Sequence, residues 1–276
     1  MDLPAAASAT VGVGLLTFGL SQATTAGWGS VEVAGTLAGA AVSLALFVAV
    51  EATRPDPLIP LALFKMANLR IGNLVMAILG VTMTAALYFV ALYLEQLLGE
   101  SALVAGLSLL PMTVVLVAAG LASKKLIVTF GPRQLLVTGA LVAAGGLAWL
   151  SRLSLHPAYI AHVLAPTLVT AAGLGLMLLP VTVAGVSGVV TEDAGAASGL
   201  LNAARQVGGA LGLAVLFTIA QSVERGSTLS TRTAATVHGY DLAILVNSGV
   251  LLVAAMLALL LHDPERYTPA GESPSA

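Results

Sequence analysis

The strongest constraint on this chain is a succession of long apolar runs with almost no charge in them. Eight runs follow one another, at residues 4–22, 33–50, 71–94, 102–122, 135–151, 159–183, 197–222 and 242–261. A helix that crosses a bilayer needs about 20 mostly apolar residues. Each run therefore reads as one transmembrane helix. Charged residues make up only 9% of the chain and hydrophobic ones 58%, with a mean hydropathy of +0.99. Soluble domains carry about 25% charged residues, so a soluble fold of this composition could not cover its own surface. A buried soluble core would explain any one run. It does not explain eight in a row, with basic residues alternating between the intervening segments.

The segments between the runs carry the punctuation. Asp2 can cap the first helix, and Pro4 sits in its first turn, where a missing N–H costs nothing. Met1-Asp2 provides no basic region ahead of the first run, so that run reads as a helix and not as a signal peptide. Trp28 lies in the first loop, a residue type common at membrane interfaces. Residues 51–70 form the most polar interior stretch, with Arg54, Pro55, Pro57, Pro60, Lys65 and Arg70, and mark the main boundary. The tail 263–276 is polar and Pro-containing and reads as disordered.

Lys and Arg set the orientation. With the N-terminus in the cytoplasm, seven basic residues fall on cytoplasmic segments: Arg54, Lys65, Arg70, Lys124, Lys125, Arg133 and Arg266. Three fall on the opposite side: Arg152, Arg225 and Arg232. This predicts a multi-pass protein with both termini inside.

Small and polar residues within the runs are informative because they are few. Gly195 and Gly199, and Gly208 and Gly212, are spaced for close helix packing. Residues 109–113 and 178–182 share the phrase Leu-Leu-Pro-x-Thr, which reads either as an internal repeat or as two independent proline kinks. Asn202, Arg205 and Gln206 fall on one face of the seventh run. Two roles fit Arg205: lining or gating a polar cavity, or snorkelling to the cytoplasmic surface. Asn73, Ala77, Gly80, Thr84 and Tyr88 form a second stripe, which suits an aqueous cavity or bonding within the helix itself. The carboxylates are read as lying in loops, termini or helix ends. Glu95 and His162 are then the weak candidates for carrying a proton, His162 being more often a packed histidine.

Several function classes are excluded by what the chain lacks. It has no Cys, hence no disulfide framework, thiolate metal site or Cys nucleophile. No HExxH, nucleophile elbow or GxxxxGK[ST] loop occurs, so neither an enzyme nor an ATP-driven pump is indicated. No metal site is expected. A net charge of −2 gives no reason to expect nucleic acid as a partner.

The stretch Glu192-Asp193-Ala194-Gly195-Ala196-Ala197-Ser198-Gly199-Leu200-Leu201-Asn202-Ala203-Ala204-Arg205-Gln206-Val207-Gly208-Gly209-Ala210 resembles the penultimate helix of the 14-helix drug:proton antiporters of the major facilitator superfamily. Leu92-Tyr93-Leu94 running into Leu98-Gly99, and Leu109-Leu110-Pro111-Met112, agree with it. Asp2-Leu3-Pro4 resembles the start of that family's seventh helix. The resemblance covers essentially the whole chain. It implies an all-α integral membrane fold of eight transmembrane helices. Residues 1–50 would be a two-helix central insert, 51–70 a cytoplasmic linker and 71–262 a C-terminal six-helix half, with the N-terminal six helices absent. It further implies multidrug or other small-molecule efflux, with antibiotic resistance as the outcome. Proton antiport by alternating access in a bacterial cytoplasmic membrane would drive it. The energy source would be the proton gradient, with no bound cofactor. The partners would be the lipid bilayer, a small-molecule substrate and an N-terminal transporter half.

The alternative is a truncated or half-transporter protein that does not transport by itself. The two polar stripes make Asn73, Thr84, Tyr88, Asn202, Arg205 and Gln206 the candidates for a substrate cavity. Residues 120–133 are similar to the family's second signature loop, with Gly131 and Arg133 matching and the usual acidic residue missing. Gly131, Arg133 and Asp193 are the implied gating positions.

Overall fold

The computed structural model describes residues 3–53, 60–153, 159–227 and 231–261. The expected cap at Asp2, the residues Arg54, Pro55 and Pro57, and the tail with Arg266 lie outside the described residues. Among the described residues there are seven α-helical stretches: α1 (Leu3–Ala26), α2 (Val31–Thr53), α3 (Ala67–Leu92), α4 (Ala102–Leu150), α5 (Ala165–Gly185), α6 (Ala194–Gly226) and α7 (Arg232–Leu259). Short 3-10 turns at Leu61–Lys65 and Thr191–Asp193 lead into α3 and α6. A π-turn over Tyr93–Leu97 ends α3, and another over Ile160–Leu164 opens α5. Among the described residues, six helical stretches, those built on α2 to α7, are long and apolar enough to cross a membrane.

The runs at 102–122 and 135–151 fall in one 49-residue helical stretch, α4, in which two helices are joined at a kink. The loop expected between them is helical, and Lys124 and Lys125 lie within it. Its one non-helical residue is Gly131, at φ 75° and ψ 163°. That combination is open essentially only to glycine. A straight helix of this length would run about 74 Å, more than twice the hydrocarbon thickness of about 30 Å. The contacts of α5 show that α4 is not straight. Gly175 sits against Leu116 and Gly120, while Gly173 sits against Gly139 and Ala143. Leu116 and Gly139 would be about 34 Å apart on a straight helix, whereas Gly173 and Gly175 differ by about 3 Å of rise. Thus α4 doubles back at Gly131 into two limbs that flank α5. Pro132 opens the second limb, where proline needs no N–H partner.

The remaining contacts give the directions of the rods. The first limb of α4 runs parallel to α5 and the second limb antiparallel. Gly72 near the start of α3 meets Gly185 at the end of α5. Ala77, Gly80 and Val81 of α3 climb in step with Gly208, Gly209 and Gly212 of α6, so these two are parallel. α7 returns antiparallel to both: Thr82 of α3 donates to Asn247 at 3.1 Å, and Gly239 packs on Ala220 of α6. One end of the bundle therefore gathers Lys65, Arg70, the Gly131 reversal and Arg133. The other carries Arg152, Arg225 and Arg232.

Polar bonds tie the rods where the interior is otherwise apolar. Besides Thr82–Asn247, Ser248 donates to the Ala144 carbonyl at 2.8 Å, and the Tyr159 hydroxyl to the Ser108 carbonyl at 3.0 Å. Each such bond spans two elements, and an unpaired group in the same place would cost more than the bond gains. α1 and α2 form their own antiparallel hairpin, with Gly12 against Leu44 and Gly19 against Leu37. The Trp28 indole N–H, in the loop joining them, donates to the Thr218 hydroxyl of α6 at 2.9 Å.

One expectation about carboxylates is overturned. Asp241 is not at a helix end. α7 starts at Arg232, ten residues before the apolar run at 242, so Asp241 lies well inside it. The Thr231 hydroxyl accepts from Ala234 N and starts the helix early, and the added turns are held by packing on α6. The Asp241 carboxylate accepts the Leu153 N–H at 2.9 Å, tying α7 to the end of α4.

Candidate transport site

The α3–α6 contact is the centre of the candidate site, and glycines build it. A Cβ at Gly80 would strike the Arg205 carbonyl, and one at Gly208 would strike the Ala77 backbone. Only residues without a side chain let the two backbones come this close. Thr84 lies against Gly209 in the same seam. The stripe read from α3 is thus divided: Ala77, Gly80 and Thr84 pack on α6, while Asn73 and Tyr88 reach open space on either side of the seam.

Asn73 lines an apolar groove of about 590 Å³ between the first halves of α3 and α6. Its Nδ2 donates to the Leu69 carbonyl at 2.8 Å, and its Oδ1 has no hydrogen-bond partner among the described residues. Tyr88 lines a second cavity of about 290 Å³, nearer the opposite end of α3, α6 and α7. Its ring meets Phe217 edge-on with centroids 5.7 Å apart. This cavity also receives Gln96, Gln221, Glu224, Arg232 and Tyr240. Glu224 and Arg232 approach to 3.5 Å, and the Tyr240 hydroxyl donates to Gln96 at 3.4 Å. One cavity is greasy and the other is aromatic with hydrogen-bonding groups, so together they suit amphipathic small molecules.

On α6, the Arg205 guanidinium donates to Asn202 Oδ1 at 2.9 Å, one turn toward the helix start. Asn202 and Gln206 are exposed and Arg205 is half-buried. These three lie off the face that lines the apolar groove, which is made by Leu200, Ala203, Ala204, Val207 and Leu211. Gly131 and Arg133 lie at the reversal of α4, and Arg133 borders a third groove of about 410 Å³ beside Leu259. Asp193 closes the 3-10 turn before α6, with no side-chain capping bond. Glu95 is exposed in the π-turn after α3, and His162 is half-buried in the π-turn before α5. The structure therefore distributes the sequence-predicted residues over separate places along the bundle and does not gather them in one pocket.

Sequence reasoning missed the Thr82–Asn247 pair, the Glu224–Arg232 pair and Asp241. A signal existed for Asn247, a lone amide in the run 242–261, and it is almost fully buried. For Glu224 and Arg232 there was none, because their approach depends on how α6 and α7 pack.

No protein-family model matches the chain. Its relatives are informative. It is 38% identical over 273 residues to the cephamycin export protein CmcT of Amycolatopsis lactamdurans, a match covering 98% of this chain and 55% of that protein. It is 32% identical to the puromycin resistance protein of Streptomyces alboniger, over 100% of this chain and 56% of the relative. The chain is a homologue of the drug-export transporters of the major facilitator superfamily. A third relative, the MFS-type transporter EfpA of Mycobacterium tuberculosis, is 26% identical over 99% of this chain and 53% of its own length. The chain thus spans about half the length of the curated superfamily relatives it matches. These relatives are transporters and not enzymes.

Proposed function

We propose that the chain is the C-terminal portion of a 14-helix drug:proton antiporter that exports antibiotic-like small molecules by alternating access. The observation that carries this reading is the match of nearly the whole chain to just over half of a cephamycin exporter. The hairpin in α4 supports it. In this reading α4 counts as two passes and α1 as one, which makes eight spans: α1 and α2 as the central pair of residues 1–50, a linker over 51–70 into which the ends of α2 and α3 reach, and six spans from α3 to α7. The charges at the ends of the bundle support an orientation with both termini in the bacterial cytoplasm, since the Arg70 and Arg133 end is the more basic.

In this reading the six-helix half supplies one wall of a midplane cavity, and a partner half supplies the other. Asn73, Tyr88, Asn202, Arg205 and Gln206 offer polar groups to substrate, and Thr84 meets it when the α3–α6 seam moves. The reversal at Gly131 and Arg133 and the turn at Asp193 act as gating elements on the cytoplasmic side. Proton carriage rests mainly on the partner half, with Glu95 and His162 as the local candidates. A second reading, favoured by the half-length match, is that the chain needs a separate N-terminal half and does not transport alone.

Reconstitution in liposomes under an inward proton gradient tests both. Substrate efflux is expected only when an N-terminal half is co-reconstituted. Robust proton-coupled efflux by the chain alone would overturn the half-transporter reading. No efflux by the pair, with both halves correctly inserted, would overturn the antiporter reading.

A further inference from the structure

The apolar groove between α3 and α6 touches only one of the proposed cavity residues, Asn73, and has a chemistry of its own. Its rims are Phe64, Leu74 and Leu211, all exposed. Its floor is shallow-sided because Ala77, Ala203 and Gly208 carry little or no side chain. Along α6 it extends from Leu200 to Leu211, about 16 Å of rise. That is close to half of a hydrocarbon core about 30 Å thick, the depth of one leaflet. Arg70, an exposed cation, borders the groove near the start of α3, at the more basic end of the bundle. No carboxylate pairs with Arg70 among the described residues.

We propose that this groove binds an anionic phospholipid, with one acyl chain between α3 and α6 and the phosphate on Arg70. A planar guanidinium with several N–H donors suits a phosphate better than a point charge does. A groove of leaflet depth that is apolar except for Asn73 and cationic at one end matches the layout of a lipid: tail inward, anionic head at the surface. The groove offers almost no polar group beyond Asn73 and Arg70, whereas the Tyr88 cavity gathers several. The orientation proposed above makes the cytoplasmic leaflet the source, and that leaflet carries the anionic lipids that basic residues recruit. Binding in detergent does not depend on that orientation or on transport, so its failure and the failure of the antiporter reading are separable.

The test is native mass spectrometry of the purified chain with equimolar palmitoyl-oleoyl phosphatidylglycerol and palmitoyl-oleoyl phosphatidylcholine. One interfacial Arg gives an expected preference of about fivefold for phosphatidylglycerol. Arg70→Gln should bring the ratio to parity and Arg70→Lys should keep most of it. Lys124→Gln, a charge removed from α4, should leave it unchanged. Ala204→Phe should fill the groove and lower the occupancy of both lipids. Helicity and monodispersity verify the fold of each variant, and the wild-type preference should shrink with added salt. An unchanged ratio in Arg70→Gln, or unchanged occupancy in Ala204→Phe, overturns the proposal. So does a lipid-free dimer that Ala204→Phe converts to monomer, or an N-terminal half that displaces both lipids from the groove.

Discussion

The seam between α3 and α6 and the first limb of α4 are both apolar helix surfaces, and they are built in opposite ways. The seam is lined by glycines whose missing side chains bring two backbones into contact. The first limb of α4 shows large side chains to the outside: Leu103 is 73% exposed and Val114 66%. In lipid there is little hydrophobic drive between helices, so apolarity alone does not say which surface packs. Residue size does. Small residues permit backbone approach and the dispersion contacts that follow, whereas leucines and valines on the outside of the bundle meet a solvent as apolar as themselves. The difference teaches that, in a chain this hydrophobic, the informative residues are those that depart from bulk and apolarity.

The largest effect should come from breaking the seam. Gly80→Leu drives a side chain into the Arg205 carbonyl, which is backbone and cannot rotate away. We expect a loss of about 3 kcal/mol, at the upper end of overpacking costs, read as a fall in the unfolding midpoint in detergent. Unchanged stability would mean that α3 and α6 do not approach this closely. Gly131→Ala comes next. An alanine at φ 75° and ψ 163° costs about 1–3 kcal/mol of strain, measured the same way, and the loss should disappear if the reversal lies elsewhere. Thr82→Val keeps the shape and removes the donor to Asn247. About 0.6 kcal/mol is expected, the average for an interhelical bond in a membrane protein. A double-mutant cycle with Asn247→Leu isolates that term. The smallest effect belongs to the outer face of α4. Leu103→Val should change stability by less than about 0.5 kcal/mol, as for surface positions without special contacts. A large loss there would show that this limb is covered and not lipid-facing.

The candidate site was legible in part. The face of Asn202, Arg205 and Gln206 follows from helical spacing, and Arg205 and Asn202 do bond one turn apart. Spacing makes the α3 stripe a single surface, because it shows which residues share a face and not what lies opposite. α6 lies opposite, and it takes Ala77, Gly80 and Thr84 into contact and leaves Asn73 and Tyr88 at separate cavities. The Leu-Leu-Pro-x-Thr phrase was ambiguous for a similar reason. Pro111 is exposed and Pro180 buried, so equal local sequence sits in unequal surroundings. The apolar run begins one residue after Asp241, so hydropathy alone leaves Asp241 outside the helix. A helix continues past the apolar run when a cap and a neighbour hold its polar turns.

By itself the sequence determined the helical class, the order of the apolar segments and the concentration of basic residues toward one side. These are properties of composition and 20-residue windows, and the cost of burying charge and bare backbone in hydrocarbon enforces them locally. The tertiary structure decided that two runs join without a loop and reverse at Gly131, that glycines on α3 and α6 meet, and that Trp28 ties the α1–α2 hairpin to α6. Those outcomes depend on pairs of residues far apart in the chain, such as Thr82 with Asn247 and Leu153 with Asp241. Their meeting is set by how rods of fixed length pack against one another, and no local window contains both partners.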